Sequence, residues 1–259
     1  MKIGIFNKRE DEEILALINK LCETNNFEID NKNPDIAFIL GGDGTFLKTV
    51  HKFIDRLDKV TFVGINCGSL GFFYDFSKED VFDIFNLLKS GSYKVQELPL
   101  LKGVASYDEG EETIFAVNEI RIENPLHTLK CDVFVNKEQL EAYRGNGLLV
   151  SSTIGSSAYN RSLGGALVDN GLQLLELTEI AGISNNVNRS LGNSLVLPGD
   201  KVVTISGKLN DSVVCYDFAN IKREDKLNKL VISYSDKKVR IIHSPDYSYI
   251  SKIRKSFVL

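Results

Sequence analysis

The sequence predicts an α/β N-terminal domain, a parallel sheet with flanking helices, joined to a β-rich C-terminal domain. Short, continuously apolar runs alternate with segments of helical spacing as far as Leu98, the pattern of strands buried on both faces between helices. Near Pro99 the texture changes to short strands separated by turn residues. The chain has 259 residues, 43% of them hydrophobic and 25% charged, an ordinary globular balance and more than one small core needs. The chain is expected to divide into residues 1–98, residues 99–243 and a closing segment, 244–259, that can return to the first domain.

Lys2–Phe6 is a short β-type run, and Ile14, Leu15, Leu17, Ile18 and Leu21 then recur at helical spacing within Asp11–Asn25. Ile36–Leu40 is continuously apolar, and after a glycine-rich turn a helix is expected from about Phe46, its stripe formed by Phe46, Leu47, Val50, Phe53, Ile54 and Leu57. Val60–Ile65 is the next buried strand, and Ser77 is the expected N-cap of a helix carrying Glu79 and Asp80 in its first turn. Beyond Pro99, strands are expected at Thr113–Val117, Glu119–Ile122, Lys130–Val135, Gly147–Ser151, Lys201–Ser206, Ser212–Tyr216, Lys229–Ser235 and Lys238–His243. Asp108-Glu109-Gly110, Pro198-Gly199-Asp200 and Ser235-Asp236-Lys237 read as turns between them. A short helix is expected around Tyr247–Ser256, with Lys252-Ile253-Arg254-Lys255 on a solvated face.

Charge narrows the function classes. The net charge is −4, from 31 basic and 35 acidic residues, which gives no general pull on nucleic acid or an anionic membrane. Cys22, Cys67, Cys131 and Cys215 lie far apart without zinc spacing, so reduced, mostly buried thiols are expected. The N-terminus turns charged at Lys8-Arg9-Glu10-Asp11 before any long apolar run develops, and a cytoplasmic protein is expected. His51, His127 and His243 stand in no triad or metal pattern.

The chemistry concentrates at Gly41-Gly42-Asp43-Gly44-Thr45, between a buried strand and a helix. The paired glycines permit positive φ and close ligand approach, and N–H groups at the start of the following helix favour anions. Strand, turn and helix together form a phosphate cradle at the carboxyl edge of a parallel sheet. Asp43 does not suit that cradle, because a carboxylate 4 Å from a phosphate is repelled by roughly 4 kcal/mol at an effective dielectric near 20. Either a cation bridges them, or the carboxylate faces a hydroxyl and accepts its proton as that oxygen attacks a phosphoryl group. The plainer alternative is a tight turn in which Asp43 bonds its own backbone.

Three further segments bear on function. Gly68-Ser69-Leu70-Gly71-Phe72-Phe73 follows the next buried strand, and its phenylalanines suit either stacking on a flat ring or core packing. Ala116-Val117-Asn118-Glu119-Ile120 sets two polar residues inside an apolar strand, where adjacent side chains face opposite ways. A bulge or kink would bring both to one ligand; a regular strand would expose Glu119. Ser151-Ser152-Thr153-Ile154-Gly155-Ser156-Ser157-Ala158-Tyr159-Asn160 offers short donors and close backbone access, suited to a purine edge or a phosphate, or is a plain Ser-rich loop.

In this order, Gly41-Gly42-Asp43-Gly44-Thr45, Leu70-Gly71-Phe72, Asn118-Glu119, Arg144-Gly145-Asn146-Gly147 and Gly155-Ser156-Ser157-Ala158-Tyr159 resemble the motifs of NAD kinases over residues 36–218. The first motif alone is shared with diacylglycerol and sphingosine kinases; the ordered set is far more specific. The resemblance implies an NAD kinase-like fold and ATP-dependent phosphorylation of the adenosine-ribose 2′-hydroxyl of NAD, giving NADP. A divalent cation, Mg²⁺, would accompany ATP, with polyphosphate a possible donor and no dedicated metal-binding residues. It implies Asp43 as base, with Gly41, Gly42, Gly44 and Thr45 as the phosphate loop and Gly44 also beside NAD. Asn118 and Glu119 would hold the NAD sugars and adenine, and Ser157, Ala158, Tyr159 and Phe72 would enclose the adenine. Members are homodimers or homotetramers whose partner residues complete the nicotinamide end.

This sequence departs from the family pattern in places. The family's Thr-Pro-Thr-Gly-Ser-Thr-Ala-Tyr is here Ser152-Thr153-Ile154-Gly155-Ser156-Ser157-Ala158-Tyr159. Ser152 and Ser157 keep hydroxyls at NAD-binding positions, Thr153 is expected to loosen the backbone, and Ile154 removes a donor. The family's Arg-Gly-Asp-Gly is Arg144-Gly145-Asn146-Gly147, so Asn146 keeps an acceptor for the nicotinamide amide and loses the charge. Asp217 matches a family Asp near the nucleotide. Two other readings use the same features: a lipid or sugar kinase sharing the Asp-bearing turn, and a non-catalytic NAD/NADP-binding sensor.

Overall fold

The computed structural model describes residues 1–7, 11–68 and 71–258. The chain forms two compact units, Met1–Leu98 with Lys237–Leu259, and Pro99–Asp236. The segment that rejoins the first unit thus starts at Lys237, ahead of the boundary at residue 244 expected from the sequence.

In the first unit β1 (Lys2–Asn7), β2 (Glu28–Ile29), β3 (Ile36–Gly41) and β4 (Thr61–Asn66) are parallel in the order β2-β1-β3-β4. Residues 36–40 of β3 are all buried, as a strand covered on both faces requires. Helix α1 (Glu12–Thr24) is capped by Asp11, whose side chain accepts from the Ile14 N–H, and it buries Ile14, Ile18, Leu21 and Cys22. Helix α2 (Asp43–Lys52) starts earlier than expected, so Asp43, Gly44 and Thr45 form its first turn instead of a loop before it. Gly42 is its N-cap at φ −125°, and of the paired glycines only Gly41 has positive φ. After β5 (Phe76–Ser77), Ser77 and Asp80 form a reciprocal capping box ahead of α3 (Val81–Ser90).

The second unit is mainly antiparallel β. Its strands are β6 (Lys94–Tyr107, which begins in the first unit), β7 (Gly110–Ala116), β8 (Glu119–Glu123), β9 (Leu129–Val135), β10 (Glu138–Gly145) and β11 (Gly147–Ser151). After the four-residue helix α4 (Tyr159–Ser162) come β12 (Leu174–Ile180), β13 (Leu195–Pro198), β14 (Val203–Lys208), β15 (Val213–Tyr216), β16 (Ala219–Asn220) and β17 (Leu227–His243), whose residues from Lys237 on belong to the first unit, where Ile241 pairs in parallel with Phe62 of β4. One sheet runs β13-β12-β11-β8-β15-β16, and another series runs β10-β9-β14-β17. Side chains from both, including Ile120, Val150, Leu177, Val133, Ile205 and Leu230, share one core.

Several expectations are corrected. Ser235-Asp236-Lys237 is not a turn: β17 runs unbroken through it, with no Gly or Pro to end the strand. Strands β10 and β12 and the length of β6 were not anticipated, because they interleave polar residues with a weak apolar alternation, and β13 is only four residues long. Cys67 is exposed, although Cys22 and Cys131 are buried. The closing helix α5 (Tyr249–Phe257) belongs to the first unit, and its Lys252 is buried instead of solvated. Among the described residues no helix is long and apolar enough to cross a membrane.

Candidate active site

The order β2-β1-β3-β4 puts a topological switch between β1 and β3, since the chain leaves β1 to one side and returns on the other. Crevices at the carboxyl ends of such strands are where open α/β sheets bind ligands. A cavity of about 580 Å³ lies there, lined by Asn7 at the end of β1 and by Gly42, Asp43, Gly44, Thr45 and Lys48 of the turn and α2. Nothing lies within 4 Å of a Cβ built on Gly42 or Gly44, so both glycines leave the backbone open to a ligand.

Asp43 does not bond its own turn. Its Oδ2 accepts from the Phe72 N–H at 3.0 Å and its Oδ1 from the Phe73 N–H at 3.2 Å. Both oxygens are thereby oriented, and each keeps acceptor capacity for a further hydrogen bond. The approach requires glycine at 71, where a Cβ would stand 2.8 Å from Asp43 Oδ1. Tyr74 fastens the same contact by donating its hydroxyl to the Gly42 carbonyl at 2.7 Å. Phe73 is core, stacked on Phe46 with centroids 4.5 Å apart, while Phe72 is half-buried, edge-on to Tyr249 at 6.0 Å. Leu70 and Ser69 lie outside the described residues.

The second unit gathers another polar cluster at one end of β8, β11 and β15. The chain bends at Val117-Asn118 between β7 and β8, and both Asn118 and Glu119 are buried. Glu119 is therefore not the exposed residue that a regular strand would make it. Asp217 forms the bend: its carboxylate accepts from the Val117 N–H at 2.9 Å and the Asn118 N–H at 2.8 Å, from a left-handed backbone at φ 45°. The turn 152–157 packs directly on the bend, with Ser152 N–H donating to the Asn118 carbonyl at 2.8 Å. A Cβ on Gly155 would fall 2.0 Å from that same carbonyl oxygen.

Burial, with the charge of Asp217 second, pushes the Glu119 carboxyl up to about 8, against the opposing pull of Arg121. Glu119 is then a neutral acid at pH 7, able to donate as well as accept. Its Oε1 lies 3.4 Å from Arg121 Nη1, and its buried Oε2 has no hydrogen-bond partner among the described residues, an atom left for a ligand. Tyr159 is 37% exposed, with the Arg121 guanidinium 5.4 Å from its ring centre. Ala158 beside it is half-buried.

Other predicted residues are occupied or distant. Ser152 Oγ donates to the Val117 carbonyl at 2.6 Å and accepts from the Gly155 N–H at 3.1 Å, and Ser157 Oγ donates to the Ile154 carbonyl at 3.1 Å. Thr153 does not loosen the loop: its Oγ1 donates to the Leu172 carbonyl and accepts from the Leu174 N–H, both at 3.0 Å. Arg144, on β10, and Asn146, between β10 and β11, are exposed, and they lie beyond the end of β11 opposite Ser151, which pairs with Glu119. Strand rise puts Asn146 about 17 Å from Ser151, which adjoins the Asn118–Glu119 cluster of the same chain.

Family models decide the assignment. The model of the ATP-NAD kinase N-terminal domain matches residues 6–93, and that of the ATP-NAD kinase C-terminal domain matches residues 117–244. The chain belongs to the NAD kinase family. Similar relatives include the NAD kinase of Leuconostoc citreum (strain KM20), 33% identical over 261 residues that cover 100% of this chain and 98% of the relative. NAD kinase 1 of Listeria monocytogenes serovar 1/2a is 33% identical over 264 residues, covering 100% and 99%. Among solved structures, yeast NADH kinase complexed with NADH superposes with a TM-score of 0.86 at 18% identity, over 99% of this chain and 87% of that one. An NAD kinase from Archaeoglobus fulgidus in complex with ATP gives 0.79 at 19% identity, over 99% and 97%. Those two likenesses speak for the fold, an NAD kinase fold with an α/β part and a β-rich domain. Sequence reasoning understated Asp217 and missed the acid character of Glu119. The left-handed turn at Asp217 follows a strand that carries no glycine, so nothing local marks it.

Proposed function

We propose that this kinase phosphorylates the 2′-hydroxyl of the adenosine ribose of NAD with ATP, giving NADP, and that Asp43 is the base. The observation that carries the reading is the Asp43 carboxylate, oriented by the Phe72 and Phe73 N–H groups on the wall of a cavity at a sheet switch point. A carboxylate so oriented can accept the hydroxyl proton while the oxygen attacks the terminal phosphorus in line. The Asp43 and Gly44 N–H groups at the start of α2, with Gly41, Gly42 and Thr45 shaping the turn, suit the donor phosphates. Mg²⁺ would enter with ATP as part of the substrate. Polyphosphate offers the same oxygens, and only assay separates the two donors.

Asn118 and Glu119 are assigned to the ribose hydroxyls and adenine of NAD, supported by the unpartnered Glu119 Oε2. Tyr159 and Ala158 are assigned to the adenine. Ser152 and Ser157 act chiefly by shaping the turn, since their hydroxyls bond the backbone. Arg144 and Asn146 are assigned to the nicotinamide end of a second copy's site in a homodimer or homotetramer, because they stand beyond the far end of β11 from their own chain's cluster.

Incubation of the purified protein with NAD, ATP and Mg²⁺ should yield NADP. Folded protein that made none, while phosphorylating a lipid or sugar, or binding NAD without turnover, would favour the other two readings.

A further inference from the structure

Helix α5 buries a single residue, and that residue is a lysine. Lys252 is only 7% exposed, and its Nζ donates to the carbonyl of Tyr74. Tyr74 follows directly on the two residues whose N–H groups orient Asp43, and its own hydroxyl reaches the Gly42 carbonyl. The next residue, Asp75, accepts from the Ser244 N–H at 3.1 Å and lies 3.5 Å from His243 Nδ1. The short segment that holds Asp43 is therefore gripped on its other side by the returning C-terminal segment.

An ammonium is a poor choice for folding alone, since an apolar residue of similar volume avoids its desolvation. Burial holds the Lys252 amine below the ordinary lysine range, opposed by the negative charges of Asp75 and Asp43 and reinforced by Lys255. Asp43 lies on α2, Asp75 and the Tyr74 phenol in the gripped segment, His243 at the end of β17, and Lys255 on α5 itself. The cation thus sits in the field of the carboxylate proposed as base, with the Tyr74 peptide between them.

We propose that Lys252 is a positioning residue for phosphoryl transfer: by holding the Tyr74 carbonyl, its ammonium fixes the Phe72 and Phe73 N–H groups that aim the Asp43 carboxylate. This rests on the reading of Asp43 as the base. Small misplacements of a reacting group cost large factors in rate with little effect on ground-state binding.

The test is steady-state NADP formation by the full chain as wild type, Lys252→Met and Lys252→Arg, with melting temperatures measured alongside. Folded Lys252→Met should lose about 10- to 100-fold in kcat while KM for NAD stays within about twofold, and Lys252→Arg should recover most of the loss. Wild-type kcat should also fall at alkaline pH as the amine loses its proton, a limb that moves upward in Lys252→Arg because the guanidinium stays charged. Should Lys252→Met fail to fold, those two alkaline limbs decide the matter. Wild-type kcat in folded Lys252→Met, a change in KM alone, or coincident alkaline limbs would overturn the proposal. A wild-type protein that forms no NADP would instead overturn the reading of the site itself.

Discussion

The two units hold their key carboxyl groups in opposite ways. Asp43 accepts one backbone N–H on each oxygen, at the positive end of a helix dipole and beside an open cavity. Glu119 is buried, repelled by Asp217 and left with an unpartnered oxygen. One environment presents two oriented acceptor oxygens, and the other favours the protonated acid. Two carboxyl groups in one enzyme acquire different chemistry from their surroundings, not from their identity.

Replacement of Asp43 by Asn tests the first environment most severely. The amide keeps the size and can still accept from one of the two N–H groups, but it cannot take a proton. Turnover should fall by about 10²- to 10⁴-fold, with a stability loss of about 1–3 kcal/mol for the N–H that then faces an NH₂. NADP formation and thermal melting measure the two effects separately, and undiminished turnover would remove Asp43 from the chemistry.

In the second unit the matching change is Asp217→Asn. It leaves one of the two buried N–H groups of the Val117–Asn118 bend poorly satisfied, costing about 1–3 kcal/mol. It also removes the charge that helps raise Glu119. KM for NAD should rise more than kcat falls, the reverse of the Asp43→Asn pattern. Gly155→Ala strikes the same bend sterically, because its Cβ would meet the Asn118 carbonyl at 2.0 Å. A backbone shift costing about 1–3 kcal/mol is expected, visible as a lower melting temperature together with a raised KM.

The same contrast explains what the sequence made legible. The first site is local: β3, the glycine turn and α2 are contiguous, so an apolar run followed by glycines and an acid announces a cradle. The second is assembled from residues 117–119, 152–157 and 217, which strand pairing alone brings together. The motif pairs were visible as strings, but the bend that buries both Asn118 and Glu119 is made by a side chain about a hundred residues away. The Lys252 run read as solvent-facing because helical spacing does not reveal which face a returning helix presents. The turn expected at Ser235-Asp236-Lys237 rested on composition, and strand pairing overrode it.

The gentlest test is pH. The Glu119 carboxyl titrates near 8 in the folded chain against an ordinary 4.5. Below pH 4.5 both folded and unfolded states hold the proton, and the stability it contributes is fully present. As pH rises the unfolded chain releases its proton first, so stability declines by at most about 1.4 kcal/mol per pH unit until the folded value is passed. Glu119→Gln cannot ionise and lacks this decline. Glu141, also raised, to about 7, titrates in the same window in both proteins and cancels in their difference. Melting curves from pH 5 to 9 should therefore show the variant gaining on wild type as pH rises. NAD affinity should add a second signature: it weakens above pH 8 in wild type, where the acid ceases to donate, and stays level in Glu119→Gln, whose amide always donates. Parallel melting curves for the two proteins would mean that Glu119 is ionised throughout, and the contrast between the two carboxyl groups would then have to be abandoned.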